Sequence, residues 1–170
     1  MHDTASRATG EPLLSEAVAA FLQSGLSMTV ASRDERHVPS IAKASGCVVS
    51  PDRHTLTVLL FAEAGEGVAR DIALCGQVAA VFTRPSTHET VQVKGSDARS
   101  VPVTHRDIAA VRRNLDLFTV DTTPLGWGPE FVDALFWRDP AGLLAIRFTP
   151  DAVFAQTPGP RAGEAIARRA

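Results

Sequence analysis

The stretch that decides the fold is His54–Ile72, which reads HTLTVLLFAEAGEGVARDI. Its first half is a continuous apolar run, which predicts a buried strand over residues 55–61. Gly65 and Gly67 follow, and two close glycines permit a tight turn that exposes backbone N–H groups. We expect a short helix over Val68–Leu74 after this turn, and then another strand.

A glycine turn directly ahead of a helix is a candidate anion site. The exposed amides and the partial positive charge of a helix N-terminus together can cradle a phosphate. The alternative is a plain strand-to-helix connection that needs glycine only for its dihedral angles. The sequence alone leaves both interpretations open.

Outside this stretch, short strands dominate the hydrophobic pattern. Apolar and polar residues alternate over residues 26–31, and the remaining strands are predicted at residues 37–49, 78–83, 89–94, 98–103, 143–148 and 152–156. Helices are predicted after Pro12, after the capping pair Thr104 and Asp107, and after Pro129. Because the helices are inserted between strands rather than alternating with them, the pattern favours an antiparallel barrel.

Length and charge restrict the functional classes. The chain has 170 residues and a formal net charge of −2, which gives no electrostatic reason to bind nucleic acid or an anionic membrane. No apolar run approaches the roughly 20 residues of a membrane span, and no secretory pattern opens the chain, so we expect a cytoplasmic protein. We expect residues 1–10 to be a disordered tail, residues 11–156 the domain, and residues 157–170 a peripheral segment.

Neither the histidines nor the cysteines form a recognisable site. The five histidines lack the spacing of a metal-binding motif, so no metal is predicted. Cys47 and Cys75 are far apart and lie in apolar surroundings, which indicates two buried thiols in a reducing compartment.

Four segments carry a resemblance to a known family. They are MTVAS before a polar turn (28–32), Val38-Pro39 entering the next strand, Arg70-Asp-Ile72 ahead of GQVAAVF (76–82), and VQVKG (91–95). Over residues 12–103, their order and spacing resemble the FMN-binding split barrels, the family of pyridoxamine 5'-phosphate oxidase. The resemblance implies an α+β fold, a six-stranded antiparallel split β-barrel with peripheral helices. It also implies a homodimer with FMN at the subunit interface.

The resemblance places the FMN phosphate at the loop after the third strand, where the sequence departs from the family. The family oxidases carry Ser-Arg-Lys there, whereas this chain carries Glu66, Gly67 and Val68. A carboxylate replaces two charge-assisted contacts to the phosphate. We expect the amides of Gly65 and Gly67 to compensate in part.

Three cations and three other residues complete the candidate cofactor-binding set. Lys43, Arg70 and Lys94 are the candidate phosphate or flavin contacts, and Ser45, Gln92 and Trp127 are expected against the flavin ring. Each has a structural alternative. Lys43 would protect an edge strand, and Arg70 would form an ion pair with Glu66 or Asp71. Gln92 and Lys94 would belong to an exposed polar face, and Trp127 would plug the barrel end.

These observations favour an FMN-dependent oxidoreductase acting on an unidentified small molecule. The cofactor would carry the redox chemistry, and no catalytic side chain can be nominated. Two alternatives remain open: a non-catalytic binding protein for a flavin, the deazaflavin F420 or haem, and a split barrel without a cofactor that serves as an interaction module.

Overall fold

The structure is a computed structural model that describes residues 10–169. The predicted disordered tail, residues 1–10, lies outside this range except for Gly10. Among the described residues, none of the helices combines the length and the apolar composition that a bilayer span requires.

The described chain contains four α-helices and ten strands. The helices are α1 (Glu16–Leu22), α2 (Ala62–Cys75), α3 (His105–Thr122) and α4 (Pro129–Phe136). The strands are β1 (Ser27–Arg33), β2 (Pro39–Ala44), β3 (Gly46–Val49), β4 (Leu56–Phe61), β5 (Val78–Thr83), β6 (Thr90–Gly95), β7 (Arg99–Val101), β8 (Leu143–Phe148), β9 (Ala152–Ala155) and β10 (Ala165–Arg168).

The strands form two antiparallel sheets, which confirms the predicted α+β split barrel. One sheet has six strands in the order β10-β9-β6-β5-β1-β2, and the other has four in the order β3-β4-β8-β7. The C-terminal segment, predicted to be peripheral, contributes β10 as an edge strand. Along the chain, the helices are inserted between groups of strands and do not alternate with single strands.

One bent segment joins the two sheets. The sequence predicts a single strand over residues 37–49, but the structure divides it at Ser45 into β2 and β3, which belong to different sheets. Ser45 still donates its backbone N–H to the carbonyl of Leu59 on β4, at 2.7 Å. The chain therefore turns the corner of the barrel here without leaving a backbone amide unpaired.

The predicted glycine turn between β4 and α2 does not exist. Helix α2 begins at Ala62, directly after the last residue of β4, so Gly65 and Gly67 lie inside the helix. Gly65 is buried, and a Cβ atom there would collide with the side chain of Leu60. The glycine is therefore needed for close packing of the helix on its own strand, and the sequence pattern gives the same signal for packing as for a turn.

The apolar residues form two clusters. The larger lies between the sheets, and the smaller packs α3 and α4 against the outside of the four-stranded sheet. Cys47 belongs to the larger cluster, and burial raises the pKa of its thiol to about 12, so it is a neutral core residue. Cys75 is only half-buried, which corrects the prediction of two buried thiols. Its position at the end of α2 keeps it outside both clusters.

Candidate anion and cofactor site

A cleft of about 220 Å³ opens where β4 meets α2. Its polar groups come from three parts of the chain: Lys43 and Ser45 at the barrel corner, Glu63 at the start of α2, and Arg138 just after α4. Aromatic and aliphatic side chains, Phe61 among them, form the rest of the lining. A polar rim on an apolar wall is the usual composition of a small-molecule site.

The N-terminus of α2 faces this cleft. The first backbone N–H groups of an α-helix, here those of Ala62, Glu63 and Ala64, have no acceptor within the helix. Phe61 precedes them, and no side chain of the described residues caps them. This 14-residue helix therefore presents unpaired donors and a partial positive charge where Glu63 and Ala64 line the cleft.

Lys43 and Arg138 bring two full positive charges to the same cleft. The ammonium of Lys43 is exposed and donates to Ser27 Oγ at 3.0 Å. Arg138 donates to the carbonyls of Trp137, at 2.8 Å, and Ala134, at 3.2 Å, which fixes its guanidinium at the end of α4. Both cations therefore lie where an anion at the start of α2 could reach them.

One carboxylate opposes these cations. Glu63 lies 3.3 Å from Arg138 and is 77% exposed, so the pair is solvated and weak. An entering anion can displace Glu63 from Arg138, because the exposed glutamate side chain can turn toward the solvent. Lys43 forms no ion pair with any described residue.

The unpaired amides thus lie about one helical turn before the glycines that were expected to hold a phosphate. The N–H groups of Gly65 and Gly67 lie past the first three residues of α2, where the i→i−4 pattern engages them within the helix. The unpaired amides belong to residues 62–64 instead. Glu66, predicted to face the phosphate, does not line the cleft, whereas Glu63 does.

Arg70 lies away from the cleft, on the solvent side of α2. Its guanidinium is 70% exposed and forms an ion pair with Asp71 at 3.0 Å, which was the structural alternative for this residue. Asp71 itself is buried. The pKa of the Asp71 carboxyl is lowered, first by the Ser40 hydroxyl and then by Arg70. The Ser40 hydroxyl is buried and makes no hydrogen bond of ordinary geometry in the described chain. As a cofactor contact, Arg70 stays a prediction.

Gln92 and Lys94 lie on the outer face of the six-stranded sheet. Backbone pairing joins Lys43 to Thr29, Thr29 to Val81 and Val81 to Gln92, so all four share one row across this face. Lys43 and Gln92 are three strand spacings apart, about 14 Å. Lys94 is in the next row, with its ammonium 5.3 Å from the ring centre of Phe154. The sheet thus connects these residues without gathering them in one cleft.

Trp127 lies in the loop just before α4 and packs against Phe131, with ring centres 5.7 Å apart. It is 45% exposed and lines neither the cleft nor the barrel interior, so the barrel-plug alternative is wrong. A contact between Trp127 and a flavin stays a prediction.

Two charged residues of the cleft are not predicted from the sequence. Glu63 is recognisable from the sequence as a cleft residue only if α2 is predicted to begin at Ala62. Arg138 carries no local signal, because only tertiary packing brings the end of α4 to the start of α2. No three His, Cys, Asp or Glu side chains within residues 10–169 are grouped closely enough to hold a metal ion.

Comparisons with known proteins show the fold. No family model matches the sequence, and no curated protein matches it. HupZ of Group A Streptococcus superposes with a TM-score of 0.52 at 13% identity, covering 88% of this chain and 98% of HupZ. The conserved hypothetical protein Rv2991 of Mycobacterium tuberculosis gives 0.50 at 17% identity, covering 85% of each chain. A proposed pyridoxamine 5'-phosphate oxidase of Lactobacillus delbrueckii gives 0.48 at 16% identity, covering 84% of this chain and 93% of that one.

At these identities the similarity concerns the backbone arrangement only. The chain therefore shares the fold of HupZ and Rv2991, a split barrel of two antiparallel sheets.

Proposed function

We propose that this protein binds FMN, with the phosphate at the N-terminus of α2 and Lys43 and Arg138 as its cationic partners. Proteins of this fold family bind FMN, F420 or haem. The observation that carries the proposal is the cleft in which an uncapped helix N-terminus meets two cations. A dianionic phosphate fits this donor set better than a neutral ligand does.

The charges of the cleft support an anion even without the basic pair of the family oxidases. Lys43 and Arg138 contribute two positive charges and Glu63 one negative, which leaves one net positive charge beside the helix terminus. The helix terminus adds a partial positive charge that falls off within the first turn, where residues 62–64 lie. Scattered cations from β2 and α4 thus replace a contiguous basic motif.

The proposed activity is that of an oxidoreductase on an unidentified small molecule. Bound FMN supplies hydride or two-electron transfer. The protein's own groups bind and orient: Lys43 and Arg138 hold the anionic end, and Phe61 supplies apolar surface beside it. Ser45 fixes the strand on which Lys43 lies, because its backbone amide is bonded across to β4.

We further propose a homodimer through the outer face of the six-stranded sheet. On the central strands β1 and β5, this face presents small, half-exposed side chains such as Thr29, Ala31, Ala79 and Val81. None of these four side chains belongs to either of the two apolar clusters. These two rows of small residues on central strands suit packing against a second copy, which would place Gln92 and Lys94 at the interface.

Both cysteines are free thiols, which supports a reducing compartment, and we propose that the protein is cytoplasmic.

Reconstitution tests the cofactor and the activity separately. Purified protein is incubated with FMN, F420 or haemin, desalted, and examined by absorbance. Near one FMN per chain, together with oxidation of reduced nicotinamide, supports the proposal. One FMN per chain without turnover assigns a binding role. Retention of F420 or haem in place of FMN, or of none of them, contradicts it.

A further inference from the structure

A second cavity, of about 290 Å³, lies between α3 and the strands β1 and β3. It shares no lining residue with the cofactor cleft. Arg106 and Arg113 on α3 form its rim, and Met28, Cys47 and Val48 form its wall. We call it the α3 groove.

The two arginines project on the same side of α3. They are seven residues apart, which is two helical turns and about 10.5 Å along the axis. Neither forms an ion pair with a carboxylate of residues 10–169. The neighbouring Arg112, by contrast, pairs with Asp133 at 3.1 Å and with Asp116 at 3.5 Å. Arg112 thus serves helix packing, while the charges of Arg106 and Arg113 are left uncompensated.

Short side chains keep the space between the arginines open. Ala109 lies between them on α3 and lines the groove. The wall offers no free polar group: the thiol of Cys47 donates to the carbonyl of Leu22 at 3.1 Å. Gln23, also in the lining, donates from Nε2 to Ala19 O at 3.2 Å and accepts from the amide of Val49 at 3.3 Å.

We propose that the α3 groove binds a small organic carboxylate with an apolar tail. The carboxylate would pair with Arg106 or Arg113, because guanidinium binds carboxylate through parallel hydrogen bonds. The tail would cover Val48 and the apolar wall, whose polar atoms are already satisfied. The volume lies just below the range of sites for drug-sized ligands, which limits the ligand to a short chain or a single ring.

Octanoate is a suitable probe, titrated into the uniformly ¹⁵N-labelled full-length protein and followed by amide chemical shifts. We expect saturable shifts at Cys47, Val48 and Ala109. Arg106→Gln and Arg113→Gln together should weaken binding at least about tenfold, the effect of losing one or two hydrogen bonds to a charged group. Arg99→Gln is the matched control: Arg99 is exposed and forms no ion pair with a described residue but lies outside the groove, so binding should not change.

A steric variant separates a built groove from mere positive charge. Ala109→Leu keeps both arginines and fills the space between them, so octanoate binding should be lost. Shifts that do not saturate, equal weakening by Arg99→Gln, or unchanged binding in Ala109→Leu would each overturn the proposal. Folding of every variant is checked by the dispersion of the same amide spectrum.

Discussion

The side-chain amide of Asn114 donates from Nδ2 to the backbone carbonyl of Ser45 at 3.2 Å, across the corner where the barrel strand bends. The same Nδ2 donates to the carbonyl of Leu26 at 3.2 Å, and Oδ1 accepts from the amide of Leu26 at 3.0 Å. One buried side chain on α3 thus ties the start of β1 to the junction of β2 and β3. The corner that carries Lys43 and Ser45 is held from outside the barrel.

Replacing Asn114 should therefore lower the stability of the folded protein. Asn114→Ala leaves backbone groups of Leu26 and Ser45 without partners, so we expect the free energy of unfolding to fall by about 3 kcal/mol. Urea unfolding followed by tryptophan fluorescence measures this. Thr119→Ala, which removes a hydroxyl bonded within its own helix to Leu115, is the matched control and should have a much smaller effect. Equal losses in the two variants would contradict the role of Asn114.

The two glycines of α2 should respond in opposite directions to alanine. A methyl group added at Gly67 would meet no atom within 4 Å, so Gly67→Ala should raise the free energy of unfolding by about 0.5–1 kcal/mol through helix propensity. Gly65→Ala should lower it by about 1–2 kcal/mol, because the new methyl group overlaps Leu60 in the core. Thermal or urea unfolding of both variants measures the two changes in the free energy of unfolding. Destabilisation by Gly67→Ala would indicate a turn in place of the helix.

Asp71 should make stability depend on acid pH. Its pKa is lowered in the folded state, first by Ser40 and then by Arg70, so its contribution is present above the unfolded value of about 3.9. That contribution disappears as the pH falls through the folded pKa. The stability difference between the native protein and Asp71→Asn should be fully present at pH 7 and decrease as the pH falls below the unfolded value of about 3.9.

Urea midpoints across this range measure the difference between the two proteins. Glu35→Gln, which removes an exposed carboxylate without an ion pair among the described residues, is the matched control for the loss of one negative charge. A difference that stayed constant from pH 7 to pH 3 would contradict the assignment to Asp71.

The proposed dimer interface can be tested with one charge. Val81 is central on the outer face of the six-stranded sheet, between Thr29 and Gln92 in the same row. Val81→Glu should convert the dimer to a monomer, because a carboxylate would be buried at the interface without a partner. Light scattering after size exclusion gives the mass. Val120→Glu, at a 72% exposed position on α3, should leave the dimer intact. A native protein that is already monomeric would contradict the interface.

Much of the fold could be predicted because local signals agree with the tertiary structure. The alternation in β1, the apolar run of β4 and the capping box of Thr104 and Asp107 each mark an element that the structure confirms. The start of α2 could not be predicted, since glycine is favoured both in turns and where a helix packs closely on a strand. Arg138 reaches the cleft only through the packing of α4, which no local pattern encodes.

The central claim is that a phosphate-type anion is held at the start of α2 by Lys43 and Arg138. Flavin fluorescence titrations with FMN and with riboflavin, which has the same ring and no phosphate, test it most directly. We predict that FMN binds at least about tenfold more tightly than riboflavin, and that Lys43→Ala and Arg138→Ala weaken FMN binding but not riboflavin binding. Arg99→Ala should affect neither. Equal affinity for FMN and riboflavin, or FMN affinity that Lys43→Ala and Arg138→Ala leave unchanged, would contradict the claim.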